Sequence, residues 1–171
     1  QDNGSSSVTF SGTPTGPAQW QMGAGGDGFF GRIDPVGNRF WQGNNGGQLN
    51  VCTNVPAIND CTAQDAVWAL DSSPWSNPAS PDVQSFVLPY EIYKGIPGDL
   101  VNDCSPGGCN HLIVGTQRVW ETISGSGGWY PASSSLVKGS LGNRSFINQL
   151  AFEPKDQSRA LVGTNDGNVQ Y

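Results

Sequence analysis

Along this chain apolar residues come in short bursts, set among polar ones. "FFGRID" (29–34), "NRFWQG" (38–43), "QLNVCT" (48–53) and "VWALD" (67–71) come first. "QSFVLPYEIYK" (84–94), "HLIVGTQ" (111–117), "RVWETI" (118–123), "INQLAFEP" (147–154) and "RALVGT" (159–164) follow. Gly, Asn, Asp, Ser and Pro separate them. Short alternating runs rich in Val, Ile, Trp and Phe, bounded by turn formers, predict strands. Gly or Pro interrupts every stretch with a helical apolar period. The pattern therefore predicts an all-β chain of many short strands.

The runs repeat. "RFWQGNNGGQL" (39–49) and "RALVGTNDGNV" (159–169) share an opening Arg, Gly43/Gly163, Asn45/Asn165 and Gly47/Gly167. Each follows an acidic-Pro pair, Asp34-Pro35 and Glu153-Pro154. "HLIVGTQRVWETI" (111–123) is a middle copy with a shorter turn, its Gly115-Thr116 matching Gly163-Thr164. Gly43, Gly115 and Gly163 stand 72 and 48 residues apart. A four-stranded propeller blade takes roughly 40–50 residues, so the first interval reads as one blade with a long insertion. Proline cannot donate to a ladder, so the acidic-Pro pair marks where pairing stops. Asn45-Gly46-Gly47 and Asp166-Gly167 are hairpin signals, because tight turns need positive φ. "GWYPAS" (128–133) would supply the outer strand of the middle unit.

Composition narrows the class. The chain holds 24 Gly and 12 Pro, and only 13% of its residues are charged. Seven Phe, six Trp and four Tyr argue for a packed core rather than disorder. The net charge is −6 and no Lys/Arg cluster exists, so nucleic acid and anionic membrane surfaces are not expected partners. No apolar run reaches the length that inserts into a bilayer.

Four cysteines allow three connectivities. Local pairing is the simplest, Cys52–Cys61 around "TNVPAIND" and Cys104–Cys109 around "SPGG". Zinc is the weaker reading, since only Cys104 and Cys109 approach ligand spacing and His111 is the one histidine. Disulfides imply an oxidising compartment, extracellular or at the cell surface. The sequons at Asn3 and Asn143 agree with a secreted chain and mark glycosylation candidates.

Aliphatic-acidic-Pro, then aliphatic-Gly-Thr, then Gly-x-Val and a Gly-Gly-Trp turn resembles the BNR/Asp-box-like β-propellers, the sialidase-, sortilin- and xyloglucanase-like groups. "QDNG" (1–4), Trp20 and "GGDGFFGRIDP" (25–35) fit the way such repeats run. An Asp-box reads Ser-x-Asp-x-Gly-x-Thr-Trp. "SGSGGWYP" (124–131) keeps Ser124, Gly128 and Trp129 but lacks the Asp and the Thr. The resemblance implies a partial propeller: 1–28 as the tail of a preceding blade, 29–83 a blade with a long disulfide-closed loop, 84–140 a blade, and 141–171 the start of another. Propellers usually have 4–8 blades. Either the chain is one piece of a larger propeller, or other chains complete it, or it is a two-sheet sandwich.

Candidate chemistry is sparse. Asp27, between glycines before a strand, is the best catalytic candidate; a turn carboxylate bonding nearby amides is the plain alternative. The resemblance to sialidases implies an arginine triad, a Tyr nucleophile and an Asp. Arg32, Arg39, Arg118, Arg144 and Arg159 are the arginines, and no triad emerges from them. The xyloglucanase group implies two Asp residues, and Asp27 supplies one. His111 lacks a nucleophile-elbow partner and reads as a strand-edge residue. Asp99, Asn102, Asp103 and Asp166 are weak calcium candidates, since neither loop is complete. Trp68, Trp75, Trp120, Trp129 and Tyr130 would stack on sugar rings if exposed; Trp41 and Trp120 belong to strands and core. Trp75, in "SSPWSNPASP", is the expected exposed aromatic, with Trp129 and Tyr130 as further binding candidates.

The first reading is an extracellular, non-catalytic propeller segment, a scaffold or binding surface for a glycan or protein. It needs no cofactor, calcium aside. Its partners would be the remaining blades, copies of itself or a polysaccharide. The rivals are part of a propeller glycoside hydrolase and a self-assembling surface protein.

Overall fold

The structure is a computed structural model that describes residues 5–7, 21–24, 27–34, 36–37, 39–52, 68–71, 74–77, 79, 81–95, 104 and 108–171. The described residues are all-β, with short 3₁₀ turns at Asn45–Gly47, Pro74–Ser76 and Gly142–Arg144. Strands β1 (Ser5–Ser7) and β2 (Gln21–Ala24) form an antiparallel pair.

Three larger sheets follow in chain order. The first joins β3 (Gly31–Asp34), β4 (Arg39–Asn44), β5 (Gln48–Cys52) and β6 (Trp68–Leu70) as an antiparallel meander. The second joins β7 (Tyr90–Ile92), β8 (Leu112–Gly115), β9 (Val119–Thr122) and β10 (Tyr130–Pro131) in the same way. The third joins β11 (Ile147–Glu153), β12 (Asp156–Thr164) and β13 (Val169–Gln170). Each apolar run named above contains a strand or leads into one. Among the described residues no closed barrel or closed propeller ring forms.

Side-chain alternation fixes how the sheets stack. On β8, Leu112 and Val114 join a core with Trp41, Leu49, Val51, Trp75, Leu88 and Tyr90. Ile113 points the other way, into a second core with Val119, Ile147, Leu150 and Val162. A strand buried on both faces reads as a continuous apolar run, which is why "HLIVGT" shows no polar alternation. The second sheet thus lies between the first and the third. The first strands also meet: β3 contacts β7, and β11 contacts β7 and β8.

Both predicted hairpin turns use glycine at positive φ, Gly46 at 68° and Gly47 at 73° in one, Gly167 at 83° in the other. The acidic-Pro signal has a direct cause. Asp34 ends β3, fully buried, and its carboxylate accepts from the amides of Val36 (2.9 Å) and Gly37 (2.8 Å). It also binds Arg39 Nη2 at 2.7 Å and the Cys109 amide at 2.9 Å, tying the first sheet to the loop before β8.

Cys104 and Cys109 are joined by a disulfide. Cys52, buried in β5, is also disulfide-bonded, and Cys61 lies outside the described residues.

Gly115 is a point of close approach. A Cβ there would meet Ile147 Cγ2 at 2.6 Å, where the Ile147 amide donates to Thr116 O at 2.7 Å. Gly115→Ala is expected to destabilise the chain by about 1–3 kcal/mol through overpacking. Urea unfolding measures this, and an unchanged midpoint would contradict the packing.

Candidate functional site

A groove of about 490 Å³ opens between the second and third sheets. Strand parity builds one wall. His111, Ile113, Val119 and Glu121 project from the face of the second sheet that looks toward the third, since Ile113 pairs with Glu121 and Gly115 with Val119. Tyr130 pairs with Glu121 and shares that face, while Trp129 turns to the opposite face and packs on Trp75. His111 Nε2 lies 2.6 Å from Glu121 Oε1. The His111 ring meets Phe152 edge-on at 4.8 Å, and Phe152 meets Tyr93 at 5.4 Å. The Tyr130 hydroxyl is held above its ordinary pKa by partial burial, and further by a hydrogen bond to Glu121 and its charge.

The third sheet supplies the other wall with Gln157, Ser158, Arg159 and Ala160 of β12, and Gln170 and Tyr171. Arg159 Nε pairs with Asp156 at 3.0 Å, and Arg159 Nη1 donates to the Tyr171 hydroxyl at 3.5 Å. Bonds from Ser158 hold the Asp156 carboxyl below its usual range. The floor is apolar, with Ile113, Val119, Leu136, Phe152 and Val162. Among the groove-lining residues Glu121 is the one carboxylate.

The sequence candidates fall into three groups. His111, directly before β8, lines the groove, and Tyr130 lies on the same sheet face without lining it. Asp27 does not line it. That side chain is buried beside the β4–β5 turn, where the Asn45 side-chain amide donates to it at 3.4 Å. Asp166 caps the last hairpin, bonding Thr164 Oγ1 and the Gly139 amide. The Thr164 bond is the main cause of its lowered pKa. Asn143 is exposed on a 3₁₀ turn. Asn3, Asp99, Asn102 and Asp103 lie outside the described residues. Among the described residues no cluster of three or more His, Cys, Asp or Glu side chains is placed to hold a metal.

Trp75 is corrected. The expected exposed aromatic is fully buried, with its indole N–H donating to Gly47 O at 2.8 Å and its ring against Trp120 and Trp129. Its polar, Pro-rich surroundings suggested a loop at the surface. The indole instead fills the space between the first two sheets, where a large ring contributes most.

Four of the five arginines form ion pairs: Arg32 with Glu91 at 3.0 Å, Arg39 with Asp34, Arg118 with Asp82 at 3.2 Å and Arg159 with Asp156. Sequence reasoning missed Glu121, Asp71 and Asp82. Asp71 receives Trp129 Nε1 at 3.1 Å and the Gly127 amide. Asp82 receives Trp120 Nε1 at 2.8 Å and Thr116 Oγ1 at 2.7 Å. No local motif marks Asp71 and Asp82, because their partners stand 34 to 58 positions away.

Compared with known proteins, the chain matches no family model, no curated protein and no solved structure.

Tyr90 carries a pH signature. Burial is the largest reason its hydroxyl is pushed well above its ordinary pKa, and it donates to Phe30 O at 2.7 Å. A raised folded-state pKa gives stability that is whole below the unfolded value, about 10, and is lost as pH climbs above it. Unfolding at pH 11 is expected to need about 1 kcal/mol less than at pH 9 on this account. Tyr90→Phe should remove that difference; a variant with the same alkaline loss would contradict it.

Proposed function

We propose that this chain is a segment of an extracellular β-propeller that serves as a binding surface rather than a catalyst. The observation that carries the reading is the run of consecutive antiparallel meanders, each stacked on the next, with their first strands in contact. That is how neighbouring blades are built. The disulfide at Cys104–Cys109 supports an oxidising, extracellular setting. The non-catalytic part rests on the groove, where one carboxylate faces the cavity. Glycoside hydrolysis needs two flanking a bond. Asp27, the rival reading's catalytic residue, is buried and accepts from the Asn45 side-chain amide at 3.4 Å. The partners this reading implies are the neighbouring blades and a polysaccharide.

The test is turnover. The full chain, incubated with sialosides and with xyloglucan, cellulose and mannan, is expected to release no reducing sugar or sialic acid. Release that disappears in Asp27→Ala would replace this reading with the hydrolase.

A further inference from the structure

We propose that the groove between the second and third sheets binds a neutral oligosaccharide, a step that rests on the binding-surface reading above. The argument starts from charge. Each ionic side chain in the groove already has a partner of opposite sign or a polar contact: Glu121 with His111, and Arg159 with Asp156. A charged ligand would compete with the charge already paired there, and a neutral one would not. The remaining polar lining is amide and hydroxyl, from Ser133, Gln157, Ser158, Gln170 and Tyr171. Such groups both donate and accept, which suits a ligand with many hydroxyls.

The floor suits the rest of the molecule. Sugar rings carry C–H faces that pack on aliphatic and aromatic surfaces. Here Ile113, Val119, Val162 and Phe152 line the bottom, and the exposed ring of Tyr171 stands at the rim. The volume, about 490 Å³, lies within the range of ligand pockets. The Phe152 ring is held by His111 and Tyr93, so part of the surface is ordered before a ligand arrives. With one carboxylate in the groove, binding is expected without cleavage. The site lies between two sheets, apart from Asp27.

Calorimetry on the full chain tests this with cellohexaose, xylohexaose and mannohexaose. Oligogalacturonate serves as the acidic probe, and an extended peptide alternating Val and Thr as the polypeptide probe. At least one neutral hexasaccharide is expected to bind. Arg159→Ala and Tyr171→Ala should each weaken it about tenfold, the loss of one good polar or stacking contact. Ile123→Trp, at an exposed position on the groove wall, should abolish it, and Asp27→Ala should leave it unchanged. The three groove variants should keep the wild-type unfolding midpoint within about 2 °C, so that a loss of binding is read at the groove and not as unfolding. No neutral binding, binding indifferent to the groove variants, or preference for the acidic or peptide probe would each overturn the proposal. Sugar cleavage in the separate turnover assay would sink the non-catalytic reading while leaving groove binding measurable.

Discussion

Asp34→Ala is expected to cost about 3–5 kcal/mol, the largest loss of any single polar substitution here. Asp34 is fully buried and accepts from three backbone amides and from Arg39. Removing the carboxylate strands those amides and leaves a guanidinium, only 13% exposed, without its counter-charge. Arg39 is further fixed by Asn110 Oδ1 at 2.7 Å and by the Trp41 ring at 5.2 Å, so it cannot easily swing to water. Domains of this size are stable by roughly 5–15 kcal/mol, so the variant should populate the unfolded state under mild denaturant. The double variant Asp34→Ala/Arg39→Met should lose less than the sum of the single losses, because the second change removes the stranded charge. Chemical denaturation of the four proteins measures this. Additive losses would mean that the pair does not act as a unit.

Trp75→Ala is expected to cost about 3–5 kcal/mol through the cavity left behind. The side chain is completely buried, and both Trp120 and Trp129 rest on it. Trp75→Phe should recover part of the loss, since a ring remains while the bond to Gly47 O goes. This prediction separates a core residue from a sugar-stacking one. A stacking residue would lose ligand on truncation and keep its stability. If the urea midpoint of Trp75→Ala matches wild type, the burial described here is contradicted.

The sequence carried the strands well because local rules set them. Period-two bursts such as "RFWQG" and "RVWET" become β4 and β9, and positive-φ glycines close their turns. The acidic-Pro pair was legible as a stopping point for the same reason. What lay hidden depends on long-range pairing. Trp75 sits in a polar stretch, and nothing local reveals that two sheets close over it. Asp71 and Asp82 look like ordinary turn acids until Trp129 and Trp120 from the next sheet reach them. The groove is a similar case. His111 and Glu121 are ten positions apart in sequence, and only the β8–β9 register sets them side by side.

The central claim is that the three larger sheets are consecutive blades, and a high-resolution experimental structure of the whole gene product tests it most directly. The account predicts that 31–70, 90–131 and 147–170 form neighbouring sheets fanned about one axis, with β3, β7 and β11 nearest that axis. Two sheets packed face to face as a closed sandwich, or first strands on the periphery, would contradict it.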